Sequence, residues 1–193
     1  MDAEGNERLT SLTAVVLLVL LAVEGETILM LGSQLTLHIF LGVALIPVVC
    51  LKLGTTAWRF GRYYTGAREY VAKGPPTVLL RVLVAPLVVA ATAGLFGTGI
   101  LLIAVSPHRG IVLGLHKASF IVWFAAMSAH VLAHVLKLPR QVGAELGRRG
   151  RRAGARAALI VVSLLAGLGV ALVTLPQAHA WTHWASTHHH HDG

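Results

Sequence analysis

The segment 113–138, LGLHKASFIVWFAAMSAHVLAHVLKL, constrains the fold most, because it is apolar and long enough to cross a bilayer yet contains three histidines. Ionisable side chains inside a membrane helix are costly and indicate a functional site. On an α-helix, His116 and His130 are separated by about 21 Å of rise and lie within ~40° of the same face. That separation suits two stacked haems, or one haem and a spare histidine. It argues against one zinc ion, whose ligands cluster around a single centre.

The composition places the whole chain in a membrane. Of its 193 residues 55% are hydrophobic and only 12% are charged, with a mean hydropathy of +0.73. Several apolar runs of about 20 residues predict an all-α integral membrane protein. Cys50 is the only cysteine, which excludes a disulfide framework and a four-cysteine iron–sulfur site within this chain. The acidic residues before the first apolar run argue against a cleavable signal peptide.

The apolar runs predict a five-helix transmembrane bundle with a haem-binding four-helix core. Residues 1–8 are expected to form a cytoplasmic N-terminus and residues 177–193 an extracytoplasmic, histidine-rich tail. Between them, residues 9–176 form the bundle, and residues 54–80 are expected to form a polar connection. The predicted helices cover residues 9–31, 35–53, 78–105, 113–138 and 157–175.

The loops predict the orientation. Five Lys and Arg residues lie between Arg59 and Arg81, and seven lie between Lys137 and Arg156. Cytoplasmic loops of membrane proteins carry this excess, so both loops are expected inside a bacterial cell (inner) membrane. Because the net charge of +8 is concentrated in these loops, it indicates contact with membrane lipid and no nucleic-acid partner.

Two histidines are predicted to bind haem at the outer face. A b-type haem needs axial imidazoles from facing helices and small residues where the porphyrin passes the backbone. His38 and His116 lie near the outer ends of two helices that run in the same direction. Gly42 lies one turn below His38, and glycines of the third helix add room. Arg109 and Lys117 are expected near the propionates. The alternative is that both histidines bond to headgroups or carbonyls at helix ends.

A second, cytoplasmic-side haem depends on His130. Its partner on the second helix is missing, because Lys52 occupies the matching level. The alternative is an interior histidine bonded to a neighbouring helix.

Glu24 and Glu26 have two possible roles. They could relay protons to a quinone beside the haem, or they could lie in outside water if the first helix ends near residue 23.

The remaining histidines are weaker candidates for a functional site. His134 is expected to reach the cytoplasmic interface one turn beyond His130. In the tail, His179 and His183 have the i, i+4 spacing that can hold a metal on a helix, and a terminal histidine run follows them.

One histidine on the second helix followed by H-x13-H on a later helix resembles the membrane cytochrome b subunits of hydrogenases and formate dehydrogenases, the cytochrome b561-like group. The segments LHIFLGVALIPVVCLKLGTTAWRFGRYYTG, GPP, LFGTGILL and LHKASFIVW also resemble actinobacterial membrane proteins, some joined to molybdopterin oxidoreductase domains. The resemblance covers residues 35–137. It implies that His38 and His116 hold an outer haem b, and that the position of His130 holds an inner haem with a first-helix histidine. This chain has no histidine in its first helix.

The resemblance therefore implies an electron-transfer subunit with one haem b, or two if His130 finds a partner. It would pass electrons between the quinone pool and an extracytoplasmic redox partner, such as a molybdopterin or other respiratory oxidoreductase. The absent first-helix histidine favours an alternative, a haem-free structural or accessory subunit of a respiratory membrane complex. A transporter that uses the intramembrane histidines is a weaker alternative, because the chain has no evident internal repeat.

Overall fold

The computed structural model describes residues 2–74, 84–105, 110–134 and 151–180. These residues form helices joined by turns, and no strand occurs among them. The helices are α1 (Ala3–Leu29), α2 (Leu31–Tyr64), α3 (Arg68–Val71), α4 (Ala85–Ala104), α5 (Gly110–His134) and α6 (Arg151–Val173).

Five of the helices, all except the four-residue α3, are long and apolar enough to cross a membrane. Each reaches the length of about 20 residues that spans a hydrocarbon core. Large apolar side chains point outward along them, as lipid contact requires, including Ile111, Ile121 and Leu132 on α5. The predicted all-α class and the five membrane helices are confirmed, and the chain is a multi-pass membrane protein.

The first helix is longer than predicted at its start. It begins at Ala3 because the side chain of Asp2 caps it, accepting a hydrogen bond from the backbone N–H of Gly5. It also continues past residue 23 to Leu29, so Glu24 and Glu26 both lie within the helix. The alternative in which the first helix ends near residue 23 is therefore wrong.

The second helix extends far beyond its predicted end at residue 53. It runs to Tyr64 and takes up much of the expected polar connection. Gly66, whose φ is +77°, ends it, because its backbone N–H bonds to the Tyr63 carbonyl in a left-handed turn that favours glycine. Near the start, non-helical dihedrals at Gln34 mark a kink, at a position between the predicted first and second helices.

Helices α1 and α2 pack antiparallel, and polar contacts join them at both ends. At one end Lys52 donates to the backbone carbonyl of Thr10 (2.8 Å), and Asn6 Nδ2 donates to that of Thr55 (3.0 Å). We call this the lysine end, defined by Asn6, Thr10, Lys52 and Thr55. The opposite end carries Glu24 and His38.

Helix α6 packs tightly on α2 through small side chains. Ser163, Gly167 and Ala171 recur every four residues on its buried face. A Cβ atom added at Gly167 would clash with the carbonyl oxygen of Ala44, so the two backbones are in direct contact. Small residues spaced in this way let membrane helices approach closely.

Helices α4 and α5 form a second antiparallel pair. Trp123 Nε1 donates to the Thr92 hydroxyl (3.1 Å) in the buried interface between them. The helices therefore form two groups, one of α1, α2 and α6 and the other of α4 and α5. These groups meet through fewer contacts, mainly where Phe96 of α4 packs on a cluster around Leu45 and Val48 of α2. Helices α2 and α5 make at most slight contact with each other.

Candidate histidine site

The first candidate ligand, His38, is held by two side chains of α1. Its Nδ1 atom lies 2.9 Å from Oε1 of Glu24 and 3.1 Å from the hydroxyl oxygen of Thr27. Glu24 and Thr27 are buried, and the His38 ring is mostly covered. The kink at Gln34 lies one turn before His38, where α2 turns back along α1.

The hydrogen bonds define which ring nitrogen of His38 carries the proton. The Thr27 hydroxyl donates to the Glu24 backbone carbonyl (2.6 Å), so its oxygen can act only as an acceptor toward the ring. The carboxylate of Glu24 is an acceptor as well. In its neutral form the imidazole of His38 is therefore protonated on Nδ1, and Nε2 carries the lone pair that a metal could accept.

His116 has the same arrangement on α5. Its Nδ1 atom lies 3.1 Å from the hydroxyl oxygen of Thr98 on α4. That hydroxyl donates to the backbone carbonyls of Gly94 (2.7 Å) and Leu95 (3.0 Å), so it too accepts from the ring. His116 is thus also protonated on Nδ1 with a lone pair on Nε2. Within the described part of the chain, the side-chain hydrogen bonds and ion-pair contacts of the two rings all involve Nδ1, and the backbone carbonyl of Leu95 also lies beside the His116 ring.

The fold brings His38 and His116 to the same end of the bundle, which we call the histidine end, defined by Glu24, His38 and His116. The two imidazoles lie within range of an electrostatic interaction. They come from helices that hardly touch each other, since α2 packs on α1 and α6 and α5 packs on α4. The two imidazoles therefore belong to separate groups of packed helices.

Two glycines leave room at the histidine end. A Cβ atom at Gly99 would lie 3.3 Å from Cε1 of His116, so this glycine lets α4 pass beside the ring. A Cβ at Gly42 would lie 3.3 Å from Oε1 of Glu24. In the described structure Gly42 thus makes space for the Glu24 carboxylate, whereas the sequence had suggested space for a porphyrin. A Cβ atom added at Gly97, on the same helix as Gly99, would meet no other described residue within 4 Å.

Several other residues singled out in the sequence are either exposed or outside the described part of the chain. Lys117 is exposed on α5 immediately after His116, and Arg109 lies outside the described residues. Glu26 is exposed, unlike Glu24. The side chain of His134 and the tail beyond residue 180 also lie outside the described part, and His179 is exposed near the end of the described chain.

His130 does not share the arrangement of His38 and His116. It is half-buried on α5, well along the helix from His116. Lys52, at the matching level of α2, is directed to α1 through its bond to the Thr10 carbonyl. Over the described ranges, no cluster of three or more His, Cys, Asp or Glu side chains could hold a metal ion. Ligation of a second haem by His130 therefore stays a prediction.

The sequence analysis missed the two threonines. Thr27 and Thr98 each lie on the helix adjacent to a histidine-bearing helix, and their roles depend on the register between helices. A weak signal was present, since a threonine inside an apolar helix bonds back to its own helix and leaves an acceptor oxygen for a neighbour. The sequence analysis considers Glu24 for a proton relay beside the haem but does not predict its direct pairing with His38.

Comparison with known proteins gives no assignment: no family model, no curated protein and no solved structure matches this chain.

Proposed function

We propose that the protein is a b-type haem membrane cytochrome, with His38 and His116 as the axial ligands of one haem at the histidine end. One observation carries the proposal: the Nδ1 atom of each imidazole faces an acceptor side chain on the neighbouring helix, so the neutral form of each ring has its lone pair on Nε2. Histidines that bind metals have this arrangement almost always, because the outer bond fixes the tautomer and orients the ring.

The residues present fit a haem by their chemistry. His38 and His116, which come from different helices, would hold the iron through their imidazoles, apolar helices surround them, and Gly99 gives clearance beside the His116 ring. Bound haem iron would supply reversible one-electron chemistry. The chain itself would hold the ligand rings through Glu24, Thr27 and Thr98, and would exclude water with its apolar helices.

The cellular role follows as part of the same proposal. The distribution of Lys and Arg supports a bacterial cell membrane protein with a cytoplasmic N-terminus and an extracytoplasmic C-terminus. In that orientation the histidine end faces outward. Electrons would pass between the quinone pool and an extracytoplasmic redox partner, such as a molybdopterin or other respiratory oxidoreductase. Lys117 and Arg109, adjacent to the histidine end in sequence, are proposed to neutralise the haem propionates.

The test is haem retention in purified protein produced with ample haem. His38→Ala and His116→Ala should each abolish it, while His179→Ala, at an exposed position, should keep it. Size-exclusion profiles in detergent would establish that all three variants insert and fold. Undiminished haem in both His38→Ala and His116→Ala would overturn the assignment.

A further inference from the structure

Glu24 is an unusual partner for a histidine in this setting. It lies inside a membrane-spanning helix, 9% exposed, and its Oε1 contacts His38. Its second oxygen, Oε2, is buried and has no hydrogen-bond partner in the described part of the chain. A half-satisfied carboxylate in such surroundings costs free energy, so it is retained where it has a function.

The surroundings are shaped to let Glu24 reach His38. Gly42 lies on α2 one turn after His38, and any larger residue there would bring its Cβ to within 3.3 Å of Oε1. Thr27, one turn after Glu24 on α1, bonds to both the Glu24 carbonyl and the His38 ring. These contacts fix the carboxylate and the imidazole relative to each other.

The two histidines therefore differ in the charge of their partners. His116 donates to the neutral hydroxyl of Thr98, whereas His38 donates to a carboxylate. A carboxylate that accepts the Nδ1 proton raises the basicity of the ligating nitrogen. A negative charge in a low-dielectric interior also stabilises a nearby positive centre. Both effects would stabilise ferric relative to ferrous iron, so both would lower the reduction potential.

We propose that Glu24 is a positioning residue that holds His38 and lowers the reduction potential of the haem iron ligated by it. The inference rests on the proposed function, since it requires a haem at His38. Control of the reduction potential of the haem iron is thereby assigned to one carboxylate of α1. It also makes the two axial ligands chemically unequal.

The experiment is a spectroelectrochemical titration of the purified wild type, Glu24→Gln and Glu26→Gln. Glutamine keeps the size and an acceptor oxygen but removes the charge. Glu24→Gln should retain haem and favour the ferrous state at least tenfold at a fixed potential, a positive shift of at least about 59 mV for one electron. Glu26→Gln removes an exposed carboxylate two residues away and should leave the potential unchanged.

A second variant covers the case in which Glu24→Gln does not fold. Gly42→Ala keeps Glu24 but pushes on its Oε1 atom, and it should shift the potential in the same direction by a smaller amount. Gly54→Ala, at an open position of the same helix, is its control. A potential that stays unchanged in Glu24→Gln, or in Gly42→Ala if Glu24→Gln cannot be purified, overturns the inference and leaves the proposed function intact. A wild type that binds no haem overturns both.

Discussion

The Oε1 atom of Glu24 and the Nδ1 atom of His38 lie 2.9 Å apart across the interface between α1 and α2. This contact, together with the bond between Thr98 and His116, fixes the same tautomer in both histidines. Each ring is supported by a residue of the preceding membrane-spanning helix, α1 for His38 and α4 for His116. The support of each histidine is therefore built into one antiparallel helix pair.

The hydroxyl of Thr98 is expected to contribute to haem affinity. Thr98→Val keeps the shape of the side chain but removes the acceptor for the Nδ1 proton of His116. One hydrogen bond contributes about 1 kcal/mol, so haem should bind about fivefold more weakly. Haem titration of the apoprotein, or haem loss to apomyoglobin, would measure this. Thr174→Val, which removes a hydroxyl bonded only to its own helix, should have no effect.

Clearance beside His116 is a second determinant of the site. Gly99→Val should displace the imidazole, because even the first added carbon lies 3.3 Å from Cε1. We expect substantial loss of haem together with a changed low-spin signal in the electron paramagnetic resonance spectrum. Gly97→Val adds the same side chain to the same helix at an open position and should bind haem normally. Equal haem content in the two variants would show that His116 needs no clearance at this point.

Lys52 is expected to have no part in haem binding. Its ammonium group donates to the Thr10 carbonyl at the lysine end, away from Glu24 and His38. Lys52→Met should therefore leave the haem content per chain and the optical spectrum unchanged. Lys73→Met, which removes a more exposed lysine paired with Glu7, provides the comparison. A fall in haem only in Lys52→Met would instead assign this lysine to a site at the level of His130.

The packing of α6 on α2 should depend on Gly167. Gly167→Leu places a side chain where the Ala44 carbonyl already lies, and overpacking of this kind costs about 1–3 kcal/mol or more. The apparent melting temperature in detergent should fall clearly. Gly169→Leu, at an exposed position two residues further on, should change the free energy of unfolding by less than about 0.5 kcal/mol. Similar melting temperatures for the two variants would contradict the close approach of the helices.

The sequence predicts the membrane helices well, because an apolar run of bilayer length has few alternatives to a helix. It predicts their ends poorly. Residues 54–64 are rich in arginine and aromatic residues and were expected to form a connection, yet the helix persists until Gly66 allows a left-handed turn. Capping by Asp2 similarly extends α1 into a segment that hydropathy assigns to the N-terminus.

The site was predictable only in part. The sequence predicts from depth and direction that His38 and His116 lie at the same level, and the two rings lie within range of an electrostatic interaction. Their pairing on a haem stays a prediction. Their partners Glu24, Thr27 and Thr98 were not expected, since the register between neighbouring helices decides which side chains meet. Such register is set by close packing along each interface and has no signature in a single apolar sequence.

The most direct test of the central claim is a reduced-minus-oxidised absorption spectrum of the purified protein, with haem quantified per chain. We predict one low-spin haem b per chain, retained in His130→Ala and lost in His38→Ala and His116→Ala. Folded wild-type protein that contains no haem after production with ample haem would contradict the account. It would leave the haem-free accessory subunit as the better description.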